Sequence, residues 1–177
     1  MTDREYLVMA YYEAVKSPDP STQNGAVIPY SKYVPSQDNV SYGCDSSYHL
    51  EVKSYTSFPN GVKRTEDRLQ RPIKYSYVEH AERNVIFEAA KIGIGLQGKT
   101  MYVPWTACAE CARAIICSGI KKVVCHQRMM DQTPDHWKES IKHAFIMFEE
   151  AEIEIVRFTK ELPEAPKVLI NGKLWQP

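Results

Sequence analysis

Two short clusters, His80-Ala-Glu82 and Cys108-Ala-Glu-Cys111, constrain this chain more than any other feature, because a metal ion that used both would force two distant segments together. One imidazole and two thiolates make three ligands of the kind zinc takes. Zinc is usually four-coordinate, and a site with three protein ligands keeps its last position for water, whereas a structural site closes it with a fourth side chain. A fold for this chain therefore has to set two helix entrances against each other.

The spacing inside each cluster fits that demand. Cys108 and Cys111 stand three apart and share one face if they open a helix. Ala112, Arg113, Ala114, Ile115 and Ile116 continue with helix-favouring composition. The free N–H groups and positive end of the helix dipole lower a thiol's pKa and favour the thiolate a metal needs. His80 and Glu82, two apart, point nearly opposite ways inside a regular helix, so the pair belongs where the chain enters one, with Arg83 to Ala90 as its body. His80 then binds the metal while Glu82 reaches the open position from another side. Zinc brings the pKa of its water down toward roughly 7, and a carboxylate held beside that water takes and returns a proton. Glu82 is the candidate general acid/base, not a fourth ligand.

Two plainer readings of Cys-x-x-Cys remain, a redox pair and half of a structural zinc knuckle. The first leaves His80-Ala-Glu82 unexplained. The second needs another ligand, and the spare donors Cys117, Cys125, His126, Cys44 and His49 form no second tight pair. Cys44 and His49 leave an extra metal site as an alternative, although free cysteines are more often packing residues.

Composition excludes several classes. The 177 residues, 44% hydrophobic, suit one domain with a real core and are too few for two. Twenty-two basic residues balance 22 acidic ones, which argues against a polynucleotide partner, since phosphate-backbone affinity rests on clustered Lys and Arg. A single nucleotide needs only one or two well-placed donors. Five cysteines, whose best pair is a metal motif, suit a reducing compartment. No signal-peptide core follows Met1, and no run reaches the roughly 18 apolar residues of a membrane span. The expectation is a soluble, cytoplasmic protein without a membrane partner.

Along the chain, Asp3 is expected to cap a first helix with Tyr6, Met9, Ala10 and Ala14 on one stripe, ended by Pro18 and Pro20. Gly25 to Ile28 reads as a strand, 29–47 as an insertion without a period, and His49 to Tyr55 as the next strand. A polar loop through Arg71-Pro72 leads to the His80 helix. A strand at Thr100 to Val103, the Cys108 helix and a strand at Lys121 to Cys125 follow. Asp135 starts a helix with Ile141, Ala144, Phe145 and Phe148 inside, and Ala151 to Phe158 alternates as a strand. Such interleaving indicates an α/β sheet covered on both faces. An extension over 160–177 carries Asn171-Gly172 between apolar flanks, read either as a hairpin or as an oligomer contact.

His-x-Glu with a later Pro-Cys-x-x-Cys is the signature of zinc-dependent base deaminases, and the chain resembles it with Ala107 in place of the proline and Pro104 three residues earlier. Lys74-Tyr-Ser-Tyr-Val-Glu-His-Ala-Glu-Arg-Asn84, Met101-Tyr-Val103, Cys108 to Ile116 and Gly119 to Val124 resemble deoxycytidylate deaminases of the cytidine deaminase superfamily, as do Asp19 to Ile28 and Phe58 to Val62. The resemblance runs from about residue 4 to 125. It implies a single domain over 1–177, built as a three-layer α-β-α sandwich on a five-stranded mixed sheet. It implies one catalytic zinc per chain on His80, Cys108 and Cys111, with Glu82 moving protons, and hydrolysis of dCMP, or of a 5-substituted dCMP, to dUMP or its counterpart plus ammonia. It also implies a homo-oligomer, with a hexamer as the candidate form and Trp137 or Trp175 as exposed contacts. For the nucleotide, Trp105 is the candidate to stack on the base and Asn24, Thr56, Asn60 and Asn84 to hydrogen-bond it; Arg64, Arg68 and Arg71 give their loop a charge that suits phosphate. Ser54-Tyr-Thr-Ser57 stands where such deaminases commonly have Gly-Tyr-Asn-Gly, which puts dCTP and dTTP control in question and leaves Thr56 or Ser57 for a phosphate or sugar contact. The alternatives are another amine-bearing nucleotide or base (dCTP, cytidine, tRNA adenosine) and a non-catalytic protein that binds zinc or nucleotide.

Overall fold

Capping chemistry starts the first helix one residue earlier than expected. In the computed structural model, which describes residues 1–33 and 47–177 with the side chains of 32, 33 and 47–49 excepted, α1 spans Asp3–Ala14 and its N-cap is Thr2. The Thr2 hydroxyl accepts from the Glu5 N–H and the Glu5 carboxylate accepts from the Thr2 N–H, a reciprocal capping box that Asp3 could not make. The helix closes at Val15, ahead of Pro18, and buries Tyr6, Leu7, Ala10, Tyr11 and Ala14, while Met9 is only partly covered.

β1 (Gly25–Tyr33) and β2 (Ser47–Tyr55) pair antiparallel in unbroken register, from Gly25 opposite Tyr55 to Tyr33 opposite Ser47. The strand thus passes through Pro29, where the sequence reading placed the start of an insertion. A proline is excluded only where both edges of a strand are hydrogen-bonded. The other neighbour of β1, β3 (Thr100–Tyr102), meets it at Val27 alone, so beyond Ile28 only β2 flanks the strand and Pro29 is tolerated. Residues 34–46, with Cys44, and the side chain of His49 lie outside the described residues, and the alternative metal site there lies outside with them.

The remaining elements are α2 (Ala81–Lys91), α3 (Ala109–Cys117), β4 (Lys122–His126), the one-turn α4 (Gln127–Met130), α5 (Asp135–Glu150) and β5 (Glu154–Phe158). The loop before α2 also holds two short 3-10 turns, Asp67–Leu69 and Ile73–Ser76. Sheet order is β2-β1-β3-β4-β5, with β1 antiparallel to both neighbours and β3, β4 and β5 parallel. This is the expected five-stranded mixed sheet.

Alternation along the strands divides the core. Ala26, Ile28, Met101 and Val123 pack with Val85, Ala112, Ile115, Ala144 and Phe148 of α2, α3 and α5. Val27, Tyr102 and Val124 belong to the opposite face, with Leu7, Ala10 and Tyr11 of α1 and with Leu162, Val168 and Ile170. The result is a three-layer sandwich. Its second outer layer is completed by a hairpin, β6 (Val168–Ile170) and β7 (Lys173–Trp175), turning at Asn171 and Gly172, whose φ angles of 50° and 77° are what a tight primed turn demands. The hairpin reading of this segment is realised. Trp175, read as an exposed contact, is half-buried against the buried His126 ring, centroids 6.3 Å apart. Among the described residues, no helix is long and apolar enough to cross a membrane.

α1 lies so close on β1 that a Cβ at Gly25 would stand 2.2 Å from the Ala10 carbonyl oxygen and 2.5 Å from the Ala14 nitrogen. Backbone cannot yield as a side chain does. Gly25→Ala is expected to lower the unfolding free energy by about 1–3 kcal/mol, read as a drop in the midpoint of urea denaturation.

Candidate metal centre and substrate cleft

The end of β2 delivers the first metal ligand. Ser57 and Glu79 form an isolated antiparallel bridge, N–H to carbonyl in both directions at 3.1 and 2.8 Å, so the chain approaches α2 in extended form. His80 is consequently the N-cap, with φ −73° and ψ 152°, and Glu82 lies in the first turn. Thr56 reinforces the entrance, its hydroxyl accepting from the Ala81 N–H at 3.3 Å.

β3 delivers the other two. Its pairing with β4 continues through Val103 N–H to Val124 carbonyl and His126 N–H to Pro104 carbonyl, each 3.0 Å. That pins the turn leading to Cys108, which is the N-cap of α3, with Cys111 in its first turn. The Ser140 hydroxyl of α5 accepts from the Ala109 N–H at 3.0 Å. Arg83 then bridges the helix entrances, bonding Glu79 beside it and Glu110 across the gap at 2.6 Å.

The His80 Nδ1 atom comes to lie 3.6 Å from Cys108 Sγ and 3.5 Å from Cys111 Sγ, and all three ligand atoms fall within 4.8 Å of one another. An ion at roughly 2.3 Å from sulfur and 2.0–2.1 Å from nitrogen, with tetrahedral angles, holds those atoms about 3.5 Å apart. The residues fit zinc. Among the described residues no fourth His, Cys, Asp or Glu joins the group. Cys117 is exposed at the end of α3, Cys125 is buried in β4, and both His126 nitrogens are engaged, by the Tyr11 hydroxyl at 2.7 Å and the Lys160 carbonyl at 3.0 Å.

Electrostatics agree with a metal position. The Cys108 thiol is held down at about 4, first by the hydrogen bond from Cys111 and further by His80, against the cost of burial. Beside the Cys108 thiolate, Cys111 is pushed up by its bond to Cys108 and by burial, so the pair carries one ready anion. Burial opposes charge on His80, and the Cys108 hydrogen bond together with the Glu82 and Cys108 charges outweighs it, raising the imidazole's pKa. Glu82 is 2% exposed; burial pushes its carboxyl up to about 7, with the His80 charge opposing, and its Oε2 has no hydrogen-bond partner.

His80, Glu82 and Cys108 line one cleft. Of the residues read from the sequence as nucleotide contacts, Asn24, Thr56 and Trp105 line it. Asn24 accepts from the Trp105 N–H at 3.2 Å and donates to the Trp105 carbonyl at 3.3 Å, while the indole N–H reaches the Thr133 hydroxyl at 2.9 Å. Asn60 and Asn84 do not line it. They belong to a second cleft between β2 and α2, where the Asn84 amide donates to the Tyr55 carbonyl at 2.8 Å and to the Ser57 hydroxyl at 3.1 Å and ties the two elements together. Arg68 also turns elsewhere, stacking on the Tyr77 ring 4.4 Å away, whereas Arg71 stands on the rim.

Two features were not read from the sequence. Trp137, assigned there to an oligomer contact, is half-buried in the cleft wall, edge-on to His80 with centroids 5.7 Å apart and to Tyr75 at 5.6 Å. Its helical stripe with Ile141 and Ala144 was the available signal. Lys74 and Asp19 form a buried ion pair, both side chains 6% exposed, with Nζ 2.7 and 3.1 Å from the carboxylate oxygens and 2.7 Å from the Ser21 hydroxyl. Burial opposes the Asp19 charge, and Lys74 with the Ser21 and Thr22 N–H groups outweighs it, lowering the carboxyl's pKa. The Asx turn at Asp19 was legible; its partner 55 residues on was not.

A three-ligand metal position opening on a cleft, with a buried carboxylate beside it, is the site of a metal-dependent hydrolase. The model of the cytidine and deoxycytidylate deaminase zinc-binding region matches residues 1–127. An uncharacterized deaminase from the luxG 3′ region of Aliivibrio fischeri is 33% identical over 152 residues, covering 86% of this chain and 90% of that one. Deoxycytidylate deaminase of Homo sapiens is 32% identical over 174 residues, covering 94% and 83%. In fold, the dCMP deaminase of cyanophage S-TIM5, solved in complex with dCMP and dUMP, is similar with a TM-score of 0.58 at 19% identity, over 87% of this chain and 94% of that one. This chain belongs to the cytidine and deoxycytidylate deaminase family, and zinc is its cofactor.

Cys111→Ser, which removes a fully buried sulfur from the group, is expected to take zinc from one per chain to well below that on dialysis against a weak chelator. Metal analysis of the two proteins side by side checks it; full retention of zinc in the variant would contradict the ligand set.

Proposed function

We propose that this chain hydrolyses dCMP to dUMP and ammonia, with His80, Cys108 and Cys111 holding zinc and Glu82 moving the protons. The observation that carries this reading is Glu82 itself, a buried carboxyl with an unpartnered oxygen in the cleft that His80 and Cys108 also line. Leaving such a group unsatisfied costs about 1–3 kcal/mol, and a structural metal site has no use for it.

When bound, zinc supplies Lewis acidity and an acidified water. Glu82 would accept a proton from the water that adds to C4 of the base and give it to the ring nitrogen beside C4. It would then carry the proton of the new C4 hydroxyl to the departing amino group, so that the C4 carbonyl forms, the C4–N bond breaks and ammonia leaves. Trp105, Trp137 and Ile141 supply apolar walls for a planar base, and Asn24 and Thr56 polar contacts. Of the rim cations, Lys74 is neutralised by Asp19, while Arg71 has no ion-pair partner among the described residues and donates only to the Ser21 hydroxyl, at 3.4 Å. Arg71 is the candidate reader of the 5′-phosphate. A base preference extending to 5-substituted dCMP rests on Thr56 alone of the Ser54 to Ser57 segment, because Ser54, Tyr55 and Ser57 line the other cleft. The same reading includes a cytoplasmic homo-oligomer, with a hexamer as the candidate form, supported by Phe87 exposed on α2 and Ile92 exposed at its C-cap and not by Trp137 or Trp175.

Ammonia release by the zinc-loaded protein from dCMP, 5-methyl-dCMP, dCTP and deoxycytidine tests the reading. Glu82→Gln is expected to keep zinc and lose about 10²–10⁴-fold in kcat. Arg71→Ala is expected to lose about ten- to a hundredfold in kcat/KM for dCMP, the worth of one hydrogen bond to a charged group, and to leave deoxycytidine turnover unchanged. Full activity of Glu82→Gln, or release from none of the four, would contradict it. Sedimentation velocity is expected to show an assembly larger than one chain; a monomer at micromolar concentration would remove that part.

A further inference from the structure

The C-terminal hairpin lies against the back of the cleft wall. Along its β6 edge and turn, the Gln23 N–H donates to the Leu169 carbonyl at 2.9 Å and the Leu169 N–H to Gln23 Oε1 at 3.0 Å. The Asn171 N–H donates to the Thr22 hydroxyl at 3.2 Å, and the Gly172 N–H to the Ser21 carbonyl at 2.7 Å. Four bonds thus hold three consecutive residues.

The same three residues have another side. The Ser21 hydroxyl accepts from Lys74 at 2.7 Å and from Arg71 at 3.4 Å, and Thr22 and Asn24 line the cleft that contains His80 and Glu82. Because the Thr22 oxygen accepts from the Asn171 N–H, its own hydrogen stays available to donate. The segment 21–24 is a wall one chain thick, with the hairpin behind it and the cleft in front.

The hairpin is itself well founded. Val168 and Ile170 are buried, as are Leu162 and Ala165 on the way to it. The Lys160 carbonyl is bonded to the buried His126, and Glu164 pairs bidentately with Arg4, both bonds 2.7 Å. These anchors reach the core and α1, elements that do not line the cleft, so the wall is referenced to the rigid body of the fold. Without the hairpin, the four polar groups of 21–23 would turn to water, and the wall would have to be ordered when substrate arrives.

We propose that the C-terminal hairpin is a positioning element of the nucleotide subsite, fixing Ser21 to Gln23 so that the phosphate-bearing end of the substrate meets Arg71 and Thr22 in a pre-set arrangement. This rests on the dCMP reading above. The segment lies beyond residue 127, where the match to the family model ends.

Gly172→Pro in the full-length, zinc-loaded protein tests it. Proline removes the N–H that bonds Ser21 and cannot take the φ of 77° found there, while the exposed turn leaves the core untouched. The expected result is a loss on the order of ten- to a hundredfold in kcat/KM for dCMP, carried mainly by KM, with zinc content and deoxycytidine turnover unchanged. In the wild-type protein, saturating dUMP is expected to slow hydrogen exchange at the Leu169 and Gly172 amides, because coupling between hairpin and nucleotide is reciprocal. An unchanged KM for dCMP, an equal loss on dCMP and deoxycytidine, or exchange indifferent to dUMP would overturn the proposal. A wild-type protein inactive on dCMP would instead remove the reading on which it stands, and the proposal with it.

Discussion

The site depends on two helix entrances meeting at hydrogen-bond distance. His80 and Cys108 are both N-caps, and the Nδ1 and Sγ atoms they present are 3.6 Å apart although they come from different helices. An N-cap is where extended backbone meets helix, so the residue two ahead of it need not share its direction. That resolves the geometry of His80-Ala-Glu82. The sheet supplies the rest: β2 ends in the Ser57–Glu79 bridge ahead of α2, and β3 runs into a turn held by β4 ahead of α3. The five-stranded sheet is the spacer that sets the metal position.

Three buried charged or ionisable groups make this arrangement costly, and each has a distinct answer. The thiolate on Cys108 is answered by Cys111 and His80, and Lys74 by Asp19 and Ser21. The Glu82 carboxyl is opposed only in part by the His80 charge, and its Oε2 has no hydrogen-bond partner among the described residues, which is why it is the group with chemistry left to perform. Buried ion pairs add little net stability and give definition. Here Lys74–Asp19 joins the segment before α2 to the turn before β1, and both line the cleft.

The metal ligands were legible because each pair is local: three-residue and two-residue spacings translate directly into helix-start geometry. The sheet was legible from apolar runs, with its strand order outside the reach of periodicity. Pro29 misled because its effect depends on whether β3 reaches that far, a fact of tertiary register. Asn60 and Asn84, read as nucleotide contacts, line the cleft between β2 and α2 and not the one at His80, since composition marks a residue as polar without saying which side of α2 it faces. Trp137 was read as surface because nothing local shows that the start of α5 packs on His80. The hairpin's turn was plain in Asn171-Gly172, whereas its docking on Ser21 to Gln23 joins segments at opposite ends of the chain.

X-ray absorption at the zinc K-edge of the loaded protein tests the central claim most directly. Two sulfur scatterers near 2.3 Å and two light atoms near 2.0–2.1 Å, one of them imidazole and the other exchangeable when dUMP is added, are the predicted result. Three or more sulfurs, or a shell indifferent to dUMP with no exchangeable oxygen, would mean a closed structural site and would contradict the account.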